Sequence, residues 1–240
     1  MNFFRRLLDV LLPTRCSYCN ASVADSKIPF FCSSCWSDFA VLAGPLCPQC
    51  GRQLDSPEAL THSPDHRCRE CRDHAPLFDQ ALSVGYFEGP LREAIHQLKY
   101  RPCRSLGRPI ADWMAAHLSP LDSIDLVLPV PLHPTRLRER GFNQAVLIAA
   151  RLAEHFSLPL CYDNLIRLRS TRPQVGLSSE ERKKNVSGAF GLARAEDVIG
   201  RSILLVDDVF TTGATMNECA QVLKKDGALR VYALTAARAA

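Results

Sequence analysis

From about residue 77 the chain alternates short apolar runs with stretches whose apolar positions recur every three to four residues. Ala81 to Phe87 and Asp125 to Val130 read as strands. Ile203 to Val206 is a continuous apolar run, as expected of a strand buried on both faces of a parallel sheet. Leu229 to Ala236 supplies a last strand. Between the strands, Leu91, Ile95 and Leu98 share one face of a helix over 91–100, and Phe142, Val146, Ala149, Leu152, Ala153 and Phe156 mark a longer amphipathic helix. Met216, Cys219, Ala220, Val222 and Leu223 give another, ended by the cations Lys224 and Lys225 and by Gly227. Strands alternating with helices predict an α/β domain over 77–240, a parallel sheet flanked by helices.

Residues 1–75 lack this texture, and cysteine spacing takes its place. Eight of the eleven cysteines form four Cys-x-x-Cys pairs: Cys16/Cys19, Cys32/Cys35, Cys47/Cys50 and Cys68/Cys71. Twelve residues separate the first two pairs and seventeen the last two, separations that suit two zinc ribbons of four thiolates each. A proline-rich module of this size has too few apolar residues for a core of its own. Each structural Zn2+ would supply on the order of 10 kcal/mol of apparent folding free energy. Four thiolates leave no open position, so the expected role is structural. A single zinc, disulfides and an iron-sulfur cluster are the competing readings, and His62, His66 or His74 could stand in for a cysteine. Pairing order is open between sequential ribbons and a cross-braced arrangement. Residues 3–12 read as a short leading amphipathic helix. The opening stretch, broken by Asp9, does not read as a secretory signal, which predicts a reduced, cytoplasmic setting. No stretch approaches a membrane span.

The densest chemistry lies at 203–215. The apolar run ends in Asp207 and Asp208 and is followed by Thr211, Thr212, Gly213, Ala214 and Thr215. Ligands of open α/β sheets bind beyond the carboxyl ends of the strands. Two acids there suit neighbouring hydroxyls, and a small, hydroxyl-rich turn opening a helix suits a phosphate. Neither Gly-x-Gly-x-x-Gly nor Gly-Lys-Ser/Thr is present, which removes the dinucleotide and Walker readings. The segment resembles the phosphoribosyl pyrophosphate (PRPP) motif of type I phosphoribosyltransferases. The resemblance implies that Asp207 and Asp208 hold the ribose hydroxyls and that 211–215 bind the 5-phosphate, with Mg2+ accompanying PRPP.

Two further segments fit this reading. After the strand at 126–130 come Leu132, His133, Arg136, Arg138 and Arg140. Three arginines within five residues supply cations for a pyrophosphate across the crevice. By resemblance this is the pyrophosphate loop, although its Pro-Leu-His-Pro core departs from that of nucleobase-salvage enzymes. The polar, basic stretch 167–185, with a helix start at Ser178 or Ser179 followed by Glu181 or Arg182, resembles the flexible flap of the glutamine-dependent amidotransferase branch, with Arg172 and Gln174 at its centre.

The cysteine module, Pro-x-Pro-Leu-His-Pro, Arg-Glu-Arg-Gly-Phe-Asn-Gln, Arg-Pro-Gln and the PRPP motif together resemble the ComF/GntX (competence protein F) family. This implies an N-terminal zinc ribbon before a phosphoribosyltransferase-like domain, and a link to DNA uptake, natural transformation or use of DNA as a nutrient. Expected partners are PRPP or a related ribose phosphate, single-stranded DNA and DNA-uptake proteins. Two function classes stay open: a transferase using Mg-PRPP, and a non-catalytic DNA-associated factor in which the same pocket senses PRPP or a nucleotide phosphate. A net charge of +4 permits DNA binding without demanding it, and the basic loops are poor in aromatics.

Overall fold

The computed structural model describes residues 14–23, 26–55, 63–100, 103–118, 123–172 and 176–239. The expected leading helix at 3–12, together with His62 and Gln174, lies outside them. Four strands form a parallel sheet: β1 (Gln80–Tyr86), β2 (Leu126–Pro129), β5 (Ser202–Phe210) and β6 (Arg230–Arg238), in the order β1-β6-β5-β2. A second, antiparallel pair joins β3 (Leu165–Arg167) to β4 (Phe190–Leu192), and two short helices, α1 (Ser33–Ser37) and α2 (Arg69–Asp73), lie in the cysteine module.

The alternation of β5 decides what covers each face. Leu204 and Val206 pack with α3 (Gly89–Tyr100), α4 (Gly107–Ala116) and α6 (Gln144–Phe156). Ile203 and Leu205 pack with α8 (Ala214–Lys225). All four strand residues are at most 1% exposed, as the unbroken apolar run requires. Leu91, Ile95 and Leu98 are fully buried along α3, as their spacing predicts. Helix α6 differs at its start. Asn143 caps it by accepting the Ala145 N–H, so Phe142 precedes the helix, and the buried face runs through Ala145, Ile148, Ala149, Leu152 and Ala153.

The cysteine module straddles edge strand β1. Cys16 and Cys35 join the hydrophobic cluster of α3, α4 and α6, while Cys47, Cys50, Cys68 and Cys71 join the cluster of α8. The first contact runs through Phe39, whose ring meets Trp113 edge-on at 5.3 Å. Between the two clusters the chain zips along β1: Leu42 N–H donates to Val84 O, Tyr86 N–H to Ala40 O, and Ala81 N–H to Gln49 O. A Cβ on Gly85 would lie 2.7 Å from Ala40 O, so only glycine admits this approach. The module thereby covers the sheet edge that the α/β domain would otherwise leave open.

Candidate functional site

The cleft exists because neighbouring strands end at different heights. β2 pairs with β5 only as far as Pro129 opposite Val206, whereas β5 continues beside β6 to Phe210. Asp207 and Asp208 therefore sit within β5, not after it, at the point where its other flank opens. The alternation turns consecutive acids to opposite sides of the sheet.

Asp208 is 3% exposed, and its Oδ1 takes a 2.6 Å ion pair from Lys99 Nζ near the end of α3. Its Oδ2 is buried without a hydrogen-bond partner among the described residues. Burial alone would lower the Lys99 pKa, but the charge and hydrogen bond of Asp208 more than offset this and hold it above its ordinary value. Asp207 Oδ1 accepts the Asp208 backbone N–H at 2.8 Å, leaving Oδ2 for a ligand. Burial, reinforced by the Asp208 charge, pushes the Asp207 carboxyl up to about 7. Each carboxylate thus has one oxygen committed to the protein and one uncommitted.

The raised Asp207 value has a signed consequence for stability. Between about pH 4 and pH 7 the native state keeps a proton that the unfolded state has released, so stability falls as pH rises through that window. Asp207→Asn keeps the acceptor for the Asp208 N–H and removes the buried charge. It is expected to stabilise the protein above pH 7 by at most about 4 kcal/mol, with the gain vanishing toward pH 4. Urea unfolding at pH 8 and pH 4 checks this, and equal differences at both pH values would contradict it.

Below the acids, Gly213 caps α8 with φ at 75°, and a Cβ there would lie 2.5 Å from the Phe210 ring. Glycine is therefore required for the turn to pass beneath Phe210 and present the helix N-terminus. Thr211, Thr212, Ala214 and Thr215 line the same cleft of about 880 Å3.

The arginine segment is not a loop but a seven-residue helix, α5 (Pro134–Arg140). His133 caps it, Nδ1 accepting the Thr135 N–H, and proline at the first helical position fits the same start. Helical spacing separates the arginines. Arg136 and Arg140 line the cleft with Leu132 and His133, while Arg138 turns back to Thr135 Oγ1 and lies outside the lining. Arg140 stacks over Tyr100, which is 65% exposed at the rim.

Of the flap, α7 (Ser179–Val186) begins with a capping box, and of the alternatives open in sequence the structure selects Ser178 and Glu181. Arg172 lines the cleft and exchanges backbone hydrogen bonds with the Asn185 side chain.

The cysteines settle into two clusters in sequential order, Cys16/Cys19/Cys32/Cys35 and Cys47/Cys50/Cys68/Cys71, with all ligand atoms of each within 4.8 Å of one another. The Cys19–Cys32 and Cys50–Cys68 sulfurs lie 3.7 and 3.6 Å apart. Tetrahedral zinc with Zn–S bonds of about 2.3 Å places its sulfurs about 3.8 Å apart, so both sites fit structural Zn2+. Burial, then neighbouring thiols, pushes Cys35 and Cys71 upward, the charge problem that a dication removes.

Sequence reasoning did not reach Lys99, Arg167, Tyr100, Arg52 or Glu70, all of which line the cleft. Lys99 lies in the last turn of α3, and nothing local marks its partner at 208. Arg52 follows Cys50 by two residues and Glu70 sits inside Cys68-x-x-Cys71. They pair at 2.7 Å, so the second cysteine cluster supplies part of the cleft wall. Arg238 locks that cluster to the sheet, donating to Cys50 O at 2.7 Å and lying 4.6 Å over the Phe210 ring.

The double zinc ribbon domain family matches residues 7–72, and the phosphoribosyl transferase domain family matches residues 143–240. Competence protein F of Haemophilus influenzae is 30% identical over 246 residues, covering 100% of both chains. DNA utilization protein YhgH of Escherichia coli is 33% identical over 192 residues, 78% of this chain and 81% of that protein. Competence protein ComFC of Bacillus subtilis is 29% identical over 212 residues, covering 85% and 80%. With an end-to-end relative and the same chain carrying the zinc-ribbon and phosphoribosyl transferase matches in that order, this protein belongs to the competence protein F family.

Proposed function

We propose that the protein is a cytoplasmic, Mg2+-dependent PRPP-binding phosphoribosyltransferase-like protein acting in DNA uptake or utilisation. The observation that carries the reading is the pair Asp207 and Asp208, each with one oxygen uncommitted, above a glycine-capped helix N-terminus and facing Arg136 and Arg140. Two carboxylate oxygens match two ribose hydroxyls, and the backbone N–H groups of 211–215 match a 5-phosphate. The hard oxygens of the acid pair and of the diphosphate would hold Mg2+, which when bound supplies charge neutralisation to the leaving diphosphate. Arg136 and Arg140 offset the same developing charge. The DNA role rests on the relatives' names, competence protein F and DNA utilization protein.

The test is thermal. Mg-PRPP at 100 times its Kd is expected to add about 2.7 kcal/mol to wild-type stability. It should add essentially nothing to Asp207→Asn/Asp208→Asn, and an undiminished shift there would refute the site. Pyrophosphate release during a screen of bases, amines and nucleic acids then separates a transferase from a sensor.

One observation favours a DNA-binding reading of the same cleft. The basic segment is aromatic-poor in sequence, yet the fold brings exposed Tyr100 beneath Arg140, a platform on which a base can stack. Tyr100→Ala is expected to weaken single-stranded DNA binding by roughly 1–3 kcal/mol. Affinity should fall steeply with salt, and a flat salt response would exclude a phosphate-tracking surface.

A further inference from the structure

A second recess, of about 420 Å3, opens between the second cysteine cluster, α7 and α8. It shares Phe210, Thr212, Gly213 and Ala214 with the cleft but includes none of Asp207, Asp208, Arg136 and Arg140, so the 212–214 turn stands between the two. Its floor is apolar: Phe78 and Phe210 meet edge-on with ring centroids 6.0 Å apart, and Val186 and Ala214 extend the surface. Most polar groups on its walls are already engaged, Glu70 with Arg52, Glu218 with the Gly188 N–H, Asn217 Oδ1 with the Leu77 N–H and Arg238 with Cys50 O. Lys183 and Lys184, in the last turn of α7, differ. Neither ammonium makes a hydrogen bond or ion pair among the described residues, and Lys184 acts on Glu181 only through space.

Size and lining match a small-molecule site, since such pockets hold roughly 300–1,000 Å3 and set a few polar groups around apolar and aromatic walls. Water on this floor finds few partners, whereas a flat ring gains offset or edge-to-face contact with Phe78 and Phe210. The ribbon's cysteines stand on the opposite wall with Arg238 bound to Cys50 O, which leaves the α7 wall cationic. A neutral ring would leave both ammonium groups unanswered, and an inorganic anion would leave the floor wet. An aromatic ring carrying negative charge answers both at once. We propose that this recess is a second ligand site that takes a planar aromatic anion, its ring against Phe78 and Phe210 and its charge on Lys183 and Lys184. A nucleotide and an aromatic carboxylate share that chemistry. The inference stands whatever the neighbouring cleft binds.

Anilinonaphthalene sulfonate, an aromatic anion whose fluorescence reports binding, is the probe, titrated into the zinc-loaded protein. Lys183→Gln/Lys184→Gln is expected to weaken its binding roughly 10-fold or more. Ala75→Trp, which fills the recess from an exposed position on its lining, should do the same. Arg136→Gln/Arg140→Gln should leave the affinity within about twofold, because those arginines belong to the cleft. Weakening by that variant and by neither of the others would place the probe in the cleft and overturn the inference, as would a wild type that does not bind it. If Ala75→Trp does not fold, the lysine pair, exposed on α7, decides alone. Adenosine monophosphate and naphthoate, added as competitors, separate the two sources: displacement by either supports the site and assigns its ligand to the nucleotides or to the aromatic acids. Displacement by neither, or by inorganic phosphate just as readily, would overturn the inference.

Discussion

Cys50→Ser or Cys71→Ser is expected to remove one zinc per chain and to lower the melting temperature of the whole protein, not only of its first 75 residues. A structural zinc site contributes on the order of 10 kcal/mol of apparent folding free energy. A domain's net stability is about 5–15 kcal/mol, so the loss of one site is comparable to the total. The effect spreads because the second cluster is continuous with the α8 face of the sheet. Its cysteines pack in one hydrophobic cluster with Phe78, Phe210, Ala214 and Met216, and Cys50 O accepts from buried Arg238. Unfolding this ribbon would release Arg238 from Phe210, the ring against which Gly213 packs, and would withdraw Arg52 and Glu70 from the cleft. Metal analysis should fall from two zincs to one, and the Mg-PRPP-induced rise in melting temperature should shrink with it. A variant with one zinc, wild-type melting and a full ligand response would show that the ribbon is energetically separate from the sheet.

Lys99→Met should destabilise the protein by about 3–5 kcal/mol, the cost of stripping one partner from a buried ion pair. Asp208 would be left 3% exposed with neither oxygen matched to a cation. The double variant Lys99→Met/Asp208→Asn should regain most of the loss, because the penalty lies in the stranded charge and not in lost packing. The pH dependence has a definite sign. The folded Lys99 value lies above its ordinary 10.5, so the stabilisation is full below 10.5 and declines as pH climbs past it. Lys99→Met also removes the cation that lowers the Asp207 carboxyl, so denaturant titrations from pH 6 to pH 9 should give a difference between wild type and Lys99→Met that widens as pH rises. A loss below about 1 kcal/mol, as exposed ion pairs give, would mean that the pair is solvated in solution.

Much of this molecule is legible in one dimension because its strongest signals are local. A fully buried strand must be apolar throughout, so Ile203–Val206 announces itself. Zinc ligands arrive in knuckles of two, so Cys-x-x-Cys spacing identifies the donors. Helix caps and glycine turns act over three or four residues, so Ser178, Glu181 and Gly213 carry their roles in their neighbours. Helical periodicity found the faces of α3 and α8. It placed the start of α6 imprecisely because Phe142 is buried by packing just before the cap and mimics the helical repeat.

What the sequence by itself determined is therefore the four strands of the parallel sheet, the helices α3, α6 and α8, the eight paired cysteines and the acid pair with its small-residue turn. Only the tertiary structure decided how the thiols group, that β2 stops while β5 runs on past the acids, and that Arg136 and Arg140 face the cleft while Arg138 does not. It alone brought Lys99 to Asp208, Tyr100 to Arg140, and Arg52 and Glu70 to the cleft wall. The physical reason is range: periodicity and capping act over a few residues and leave a trace in the adjoining sequence. An ion pair between residues 99 and 208, or a strand edge covered by the cysteine module, depends on where the folded backbone brings distant segments, and no neighbouring residue records it.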